Sequence, residues 1–450
     1  MAQVTPRVAV IGAGIAGLSA AAKLSERCVV ELFDMGGRGV GGRASSSRPA
    51  GETTPPLTFD HGCQLLTATD ASFRARCATL ERAGAIARWD ARFGVLRARD
   101  GAFIAKADLP TKTSSDDRPP DFFGVLSSED VFVGTPTMVG ASDGLLSACS
   151  IARTTQRQRV CVTSLTRSAK TRSWRVMGVD VGRKRVDAKE AAAKMGERDL
   201  GSFDAVVVTD VMCATSGTPG SCALTFEGED GDGDGSDSDG SDSVAAACWR
   251  EMSALPPQSL FSLMIAFPTP LTGPPFDAAV VEDSDVVQFL SRDSSKPGRG
   301  RDDGVECWTA VSTEAFAREM VARAPLSVDG KYNPQTAEYL AQITPTMRDE
   351  VLRLLRGSCG GGTHGIGAGS VPAPVHVASQ RWGNAFPSTP IASGGGGSGP
   401  GFAHDATRAF AACGDFVGGA GVERAWLSGT RAGEAVSEAL LARGGRRASL

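Results

Sequence analysis

The hydrophobic pattern opens with Val8-Ala9-Val10-Ile11. This short, uninterrupted apolar run reads as a parallel strand buried on both faces. Residues 18–24 are Ala-rich and predict a helix. Residues 28–33 predict a second apolar strand. The same strand signature recurs at 203–209, at 260–267 (LFSLMIAF, ended by Pro268) and at Ala411-Ala412-Cys413. Residues 91–107 predict a hairpin that turns at Asp100-Gly101. Strands are also predicted at 131–134, 286–290 and 307–311, and residues 159–165 are expected to pair with 174–176. Helices are predicted over 73–87, 143–152, 336–355 and 422–442. Residues 183–198 read as an exposed, charged insertion, and 360–370 and 394–401 as flexible glycine-rich ones. The Asp/Gly/Ser tract 227–243 has nothing apolar to bury and is predicted to be disordered.

The first strand and helix are joined by Gly12-Ala13-Gly14-Ile15-Ala16-Gly17, which matches G-x-G-x-x-G. Gly12 permits the tight turn, Gly14 the approach of a pyrophosphate, and Gly17 close helix–strand packing. The helix N-terminus offers amide groups and partial positive charge to the phosphates. Asp34 ends the second strand, where a carboxylate meets a ribose diol. Together these predict a dinucleotide site. A second glycine cluster follows at once, Gly37-Arg38-Gly39-Val40-Gly41-Gly42-Arg43, which NAD-dependent dehydrogenases do not need. Near the C-terminus, Gly414-Asp415 stands between a strand and a helix and aims another helix start at a ligand.

Composition narrows the function classes. A chain of 450 residues predicts two or three domains. The net charge of −4 is local, because residues 227–243 hold eight acids and no base. Neither nucleic acid nor membrane is an expected partner, and no apolar run reaches the length of a membrane span. The eleven cysteines lack any metal or disulfide spacing and read as reduced core thiols. The four histidines form no H-x-x-x-H, so no metal site is expected. Asp230-x-Asp232-x-Asp234-Gly235 mimics the start of a calcium loop, but its twelfth position is Ser241 rather than Glu. The fingerprint begins so near the N-terminus that a cytoplasmic protein without a leader is expected. Nothing in the sequence bears on oligomeric state.

Taken together, GAGIAG with Asp34, GRGVGGR, FDHGCQ (59–64), SRDSSKPGR (291–299), RW-x-x-AFP (381–387) and ACGDF…VERAWLSG (412–429) resemble the renalase-like flavoproteins. These are a branch of the FAD-dependent amine-oxidase superfamily. The resemblance implies an α/β fold of the glutathione-reductase/p-hydroxybenzoate-hydroxylase type. Its Rossmann-like FAD-binding domain would be discontinuous (1–75, 130–215 and 375–450). An inserted α+β substrate domain with an antiparallel sheet would come from 76–129 and 244–374. The resemblance also implies site roles. Gly12, Gly14, Ile15, Ala16 and Gly17 would hold the pyrophosphate and Asp34 the adenosine ribose. Arg38, Gly42 and Arg43 would lie along the phosphates, and Val162 would meet adenine. Gln64 would lie near the isoalloxazine, Gly414 and Asp415 at the ribityl–phosphate region, and Val422 at the flavin N1/O2 edge.

Departures from the family concern the substrate side. Ser262 stands where amine oxidases proper commonly place a lysine facing flavin N5. Leu65 and Leu66 replace expected aromatics, and Gly383 and Asn384 replace bulkier residues. The resemblance therefore implies an oxidase taking hydride from a small reduced compound, such as an isomeric dihydronicotinamide nucleotide, with O2 as re-oxidant. Gln64, Trp382 and Arg381 are the substrate-side candidates. Amine or polyamine oxidation, and an FAD-binding protein with little turnover, are the alternatives. Arg292, Lys296 and Arg299 read first as a solvated basic turn, and Arg292 and Lys296 alternatively as contacts to a substrate. His61 reads as a structural histidine, with a base beside Gln64 as the alternative.

Overall fold

The computed structural model describes residues 5–37, 39–49, 56–110, 121–182, 196–228, 243–329, 331–359, 371–387, 389–394 and 401–448. Arg38, the calcium-loop mimic, and most of the insertions at 183–198, 227–243, 360–370 and 394–401 lie outside the described residues.

A six-stranded sheet runs in the order Phe402–Asp405, Phe410–Cys413, Ala205–Val208, Arg7–Ile11, Val29–Asp34, Thr154–Gln158. Its pairs are parallel, except the one between Phe402–Asp405 and Phe410–Cys413. Val8, Ala9, Val10 and Ala205–Val208 are fully buried, because both faces are covered. On one face lie the helices Ile15–Leu24 and Val422–Ala448. Two glycines let these helices touch: a Cβ on Gly429 would stand 2.1 Å from the Ala16 carbonyl oxygen, and one on Gly433 2.7 Å from that of Ala20. On the other face a four-stranded sheet (Arg198–Phe203, Ser173–Asp180, Val160–Ser168, Ala223–Glu227) brings Trp174, Phe203 and Leu165 against Ala9, Ile11 and Val206.

A seven-stranded sheet runs His376–Trp382, Leu260–Phe267, Glu306–Ser312, Val287–Arg292, Ala278–Glu282, Phe93–Arg97, Phe103–Ala105. It is antiparallel except between Ala278–Glu282 and Phe93–Arg97. All eight residues of Leu260–Phe267 are buried, and the strand alternates between two covers. Phe261, Leu263, Ile265 and Phe267 join the cluster containing Ile343, Met347 and Leu355 of the helix Ala337–Ser358. Met264 and Ala266 pack with Leu57 and Phe59, which lead into the 60–64 loop. The α/β class and the antiparallel sheet agree with the sequence reading.

Several boundaries differ from the sequence reading. The strand His376–Trp382, grouped by sequence with the nucleotide unit, pairs along its length with Leu260–Phe267. The helix expected at 143–152 is Val139–Leu146. Its Gly140, outside the expected helix, and Gly144, inside it, allow contact with the Thr135 carbonyl and the Ala85 side chain. The borders of the acidic tract are ordered. Glu227 closes a strand, and the Ser243 hydroxyl accepts from the Ala246 amide at 3.0 Å to cap the helix Val244–Ala254.

Candidate active site

The fingerprint folds as its spacing requires. Gly12 has φ +106°, in the region glycine favours. A Cβ on Gly17 would lie 1.9 Å from the Gly12 carbonyl oxygen, so helix and loop are in direct contact. A Cβ on Gly14 would meet nothing within 4 Å, and no side chain caps the helix Ile15–Leu24 there. The helix start therefore faces open space with its amides available to an anion. Asp34 accepts from the Ala13 amide at 2.8 Å and the Gly36 amide at 2.5 Å. Its carboxylate is thereby locked beside the loop.

The second glycine cluster closes on the first. The Gly41 amide donates to the Ala13 carbonyl at 2.8 Å, and a Cβ on Gly42 would meet only the Gly14 Cα, at 3.6 Å. Arg43 then acts as a hub. Its guanidinium donates to both carboxylate oxygens of Asp415, at 2.6 and 2.8 Å, and to the Ala385 carbonyl at 2.9 Å. Its own carbonyl accepts from the Cys63 amide at 2.9 Å. Arg43 and Asp415, assigned by sequence to neighbouring parts of a ligand, are thus bound to each other. Gly414, at φ +143°, turns the chain into the short helix Asp415–Gly418. Val422 begins the terminal helix. The next residue, Glu423, accepts from the Thr69 and Asp70 amides at 2.6 Å each and from the Thr69 hydroxyl at 2.7 Å. At the opposite end, Met35 packs against Cys161, next to the buried Val162.

A Rossmann-like fold carries this site. Residues 10–79 match the NAD(P)-binding Rossmann-like domain family. Among solved structures, reduced UDP-galactopyranose mutase aligns with a TM-score of 0.56 at 11% identity, covering 98% of this chain and 94% of its own. An oxidoreductase from Methanosarcina mazei aligns at 0.57 and 15% identity, covering 94% and 98%. At such identities the likeness is one of fold.

Beside this cradle lies the loop 60–64. The His61 carbonyl accepts from Trp382 Nε1 at 2.6 Å and from the Ser262 hydroxyl, and the His61 and Trp382 rings stand 5.2 Å apart. Gly62 is squeezed between the Arg43 carbonyl and the Trp382 ring; its Cβ would lie 2.1 and 3.1 Å from them. Gln64 is buried. Its amide donates to the Asp60 carbonyl, and its oxygen accepts from the Ser291 hydroxyl at 2.8 Å. Arg43, Gly62, Gln64, Trp382 and Asp415 are therefore brought together from distant parts of the chain.

Two sequence expectations are corrected here. The turn around 291–299 is not solvated: Lys296 and Arg299 are 1% and 6% exposed. Lys296 bonds Asp60 at 2.9 Å and Asp293 at 2.7 Å, and Arg299 also binds Asp60. Arg292 lies 4.9 Å over the Trp308 ring, between Asp277 and Glu306. Partner charges from another segment make this burial affordable. Arg381 is likewise committed to the fold. It is 5% exposed, its guanidinium donates to the carbonyls of Ala324 (3.0 Å) and Asn333 (2.7 Å), and it stacks 5.3 Å over Tyr339. Sequence reasoning missed Asp60, Ser291, Asp293 and Glu423. The only local signal was that acids punctuate otherwise basic or apolar motifs.

Proposed function

We propose that this protein is an FAD-dependent oxidoreductase. It takes a hydride from a small reduced compound of the dihydronicotinamide nucleotide class, with O2 as re-oxidant. The observation that carries this reading is the meeting of two glycine loops with a distant third element. Residues 12–17 and 39–43 form one open cradle, and Arg43 ties it to Asp415 across the chain. A nicotinamide dinucleotide alone needs no such extended floor. FAD bound there supplies hydride acceptance at its N5.

In this reading the amides of Ile15, Ala16 and Gly17 hold the pyrophosphate, with Arg38 and Gly42 alongside. Asp34 holds the ribose diol, and Val162 meets adenine. The amides at Val422 present a positive helix end to charge that develops on reduction. Gln64 and Trp382 orient the substrate side. Residues 1–75, 130–215 and 383–450 form the cofactor unit, while 76–129, 244–374 and the strand His376–Trp382, which pairs with Leu260–Phe267, form the substrate unit. Ser262 donates to the His61 carbonyl and supplies no amine chemistry, so amines are the contrasting class. Eleven cysteines that remain thiols suit a reducing compartment, here the cytoplasm.

The test is spectroscopic. The purified protein is expected to carry or take up FAD. It should be bleached anaerobically by dihydronicotinamide isomers and not by primary amines or polyamines, and should release peroxide when air is admitted. Bleaching by amines alone would reverse the substrate assignment. Oxidised flavin with every donor would leave a binding protein, and a protein that takes up no FAD would refute the reading altogether.

A further inference from the structure

The polar groups buried most deeply near the candidate site belong to Asp60, Asp293, Lys296 and Arg299. The side chains of Asp60, Asp293 and Lys296 are fully buried, and that of Arg299 is 2% exposed. Two carboxylates face two cations, so the quartet is neutral as a whole. Lys296 Nζ bridges Asp60 (2.9 Å) and Asp293 (2.7 Å). Arg299 donates to the same Asp60 oxygen, Oδ2, as Lys296 does, and stands 3.6 Å from Asp293. The carboxylates take further bonds from Ser46 and Thr309.

The quartet joins two segments more than two hundred residues apart, and the same two segments hold Gln64. The Gln64 amide donates to the carbonyl of Asp60 itself. The Gln64 oxygen accepts from Ser291, two residues before Asp293. The Gln64 amide also donates to the Gly62 carbonyl at 3.4 Å, so the hydrogen bonds that fix the carboxamide come from the 60–64 loop and the 291–299 turn, the two segments that Lys296 ties together. A carboxamide can present either its donor or its acceptor end to a neighbour. Ser291, with its hydroxyl on the oxygen, and the Asp60 carbonyl, on the nitrogen, select one of the two.

We infer that Lys296 is a positioning residue: by bridging Asp60 and Asp293 it fixes the orientation that Gln64 presents to the flavin. The inference rests on the functional reading above, in which Gln64 stands beside that cofactor. Removing the Lys296 charge leaves two buried carboxylates facing one guanidinium. The 60–64 loop and the 291–299 turn then separate, or one carboxyl takes a proton. Replacing Asp293 by Asn in the same chain restores neutrality around the remaining Asp60–Arg299 pair.

The experiment compares the flavin spectrum and midpoint potential of the FAD-loaded wild type, Gln64→Leu, Lys296→Met, Lys296→Met/Asp293→Asn and Ser291→Ala. Lys296→Met should shift the potential in the same direction as Gln64→Leu, and the double variant should recover more than half of that shift. Ser291→Ala, a milder change, should shift it the same way, and it keeps the test in force if Lys296→Met does not fold. A Lys296→Met or Ser291→Ala potential equal to wild type, while Gln64→Leu shifts it, overturns the inference alone. So does a double variant no closer to wild type than Lys296→Met. A wild type that takes up no FAD, or a Gln64→Leu potential identical to wild type, overturns the functional reading and this inference with it.

Discussion

Arg43 and Asp415, 372 residues apart, form a two-pronged ion pair at 2.6 and 2.8 Å. The pair joins the second glycine loop to the strand–helix turn near the C-terminus. Its geometry matches the fork of a guanidinium to a carboxylate, which an ammonium cannot reproduce. Arg43→Ala is expected to destabilise the fold by about 1–2 kcal/mol, a charged hydrogen bond discounted for partial exposure. It should also weaken FAD uptake, and Arg43→Lys should restore little of either. Thermal melts and FAD titration of the two variants check this.

Gly14 and Gly17 separate ligand binding from folding. Gly14→Ala introduces a Cβ with no protein neighbour within 4 Å, at an extended backbone position (φ −77°). Its stability should stay within about 1 kcal/mol of wild type while FAD uptake is lost. Gly17→Ala drives a Cβ to 1.9 Å from a carbonyl oxygen and should cost about 3 kcal/mol or more. Circular dichroism melts, set against flavin retention, distinguish the two.

The buried quartet gives stability a defined pH dependence. Burial pushes the Asp60 carboxyl up, but Lys296, Arg299 and the Ser46 hydroxyl outweigh it and hold it below the ordinary 3.8. A carboxyl depressed by folding adds stability above its unfolded value, and this is lost as the pH falls through the folded value. Asp293 runs the other way. Burial raises it, despite the opposing pull of Lys296, so its contribution declines as the pH rises past 3.8. Of the two quartet carboxyls, Asp60 therefore contributes to the acid limb below 3.8, together with carboxyls elsewhere that folding also holds low, such as Asp70 and Asp277. Asp60→Asn should melt lower than wild type near neutrality and lose less on further acidification, as melts between about pH 7 and pH 3 will show.

The thiols should divide sharply. Nine of the eleven cysteines are buried, leaving Cys63 and Cys359 partly exposed. Burial pushes the Cys63 thiol up to about 11 and raises that of Cys359, so even these react slowly. Native protein at mildly alkaline pH should release at most about two equivalents in a thiol-reagent assay, and all eleven after denaturation. Bound FAD should protect Cys63, which neighbours Gln64 and whose backbone amide donates to the Arg43 carbonyl while its thiol donates to that of Leu65.

The cradle was legible because its geometry is local. The turn at Gly12, the contact at Gly17, the helix start at Gly14 and the acid at Asp34 follow from spacing within one strand–turn–helix–strand unit. The apolar runs 8–11 and 260–267 became strands because continuous burial leaves few other solutions. The burial of the cations in the 291–299 turn is not legible in sequence, because a basic, glycine- and proline-bearing segment resembles a solvated loop when its partners are out of view. Lys296 meets Asp60 across 236 residues, and no local pattern encodes that meeting. Whether a charge is buried depends on whether the fold supplies an opposite one, whereas local spacing alone determined where the glycine cradle of this chain lies. Only the tertiary structure decided which of its charges face a ligand and which, like Arg43 with Asp415 and Lys296 with Asp60, hold the site together.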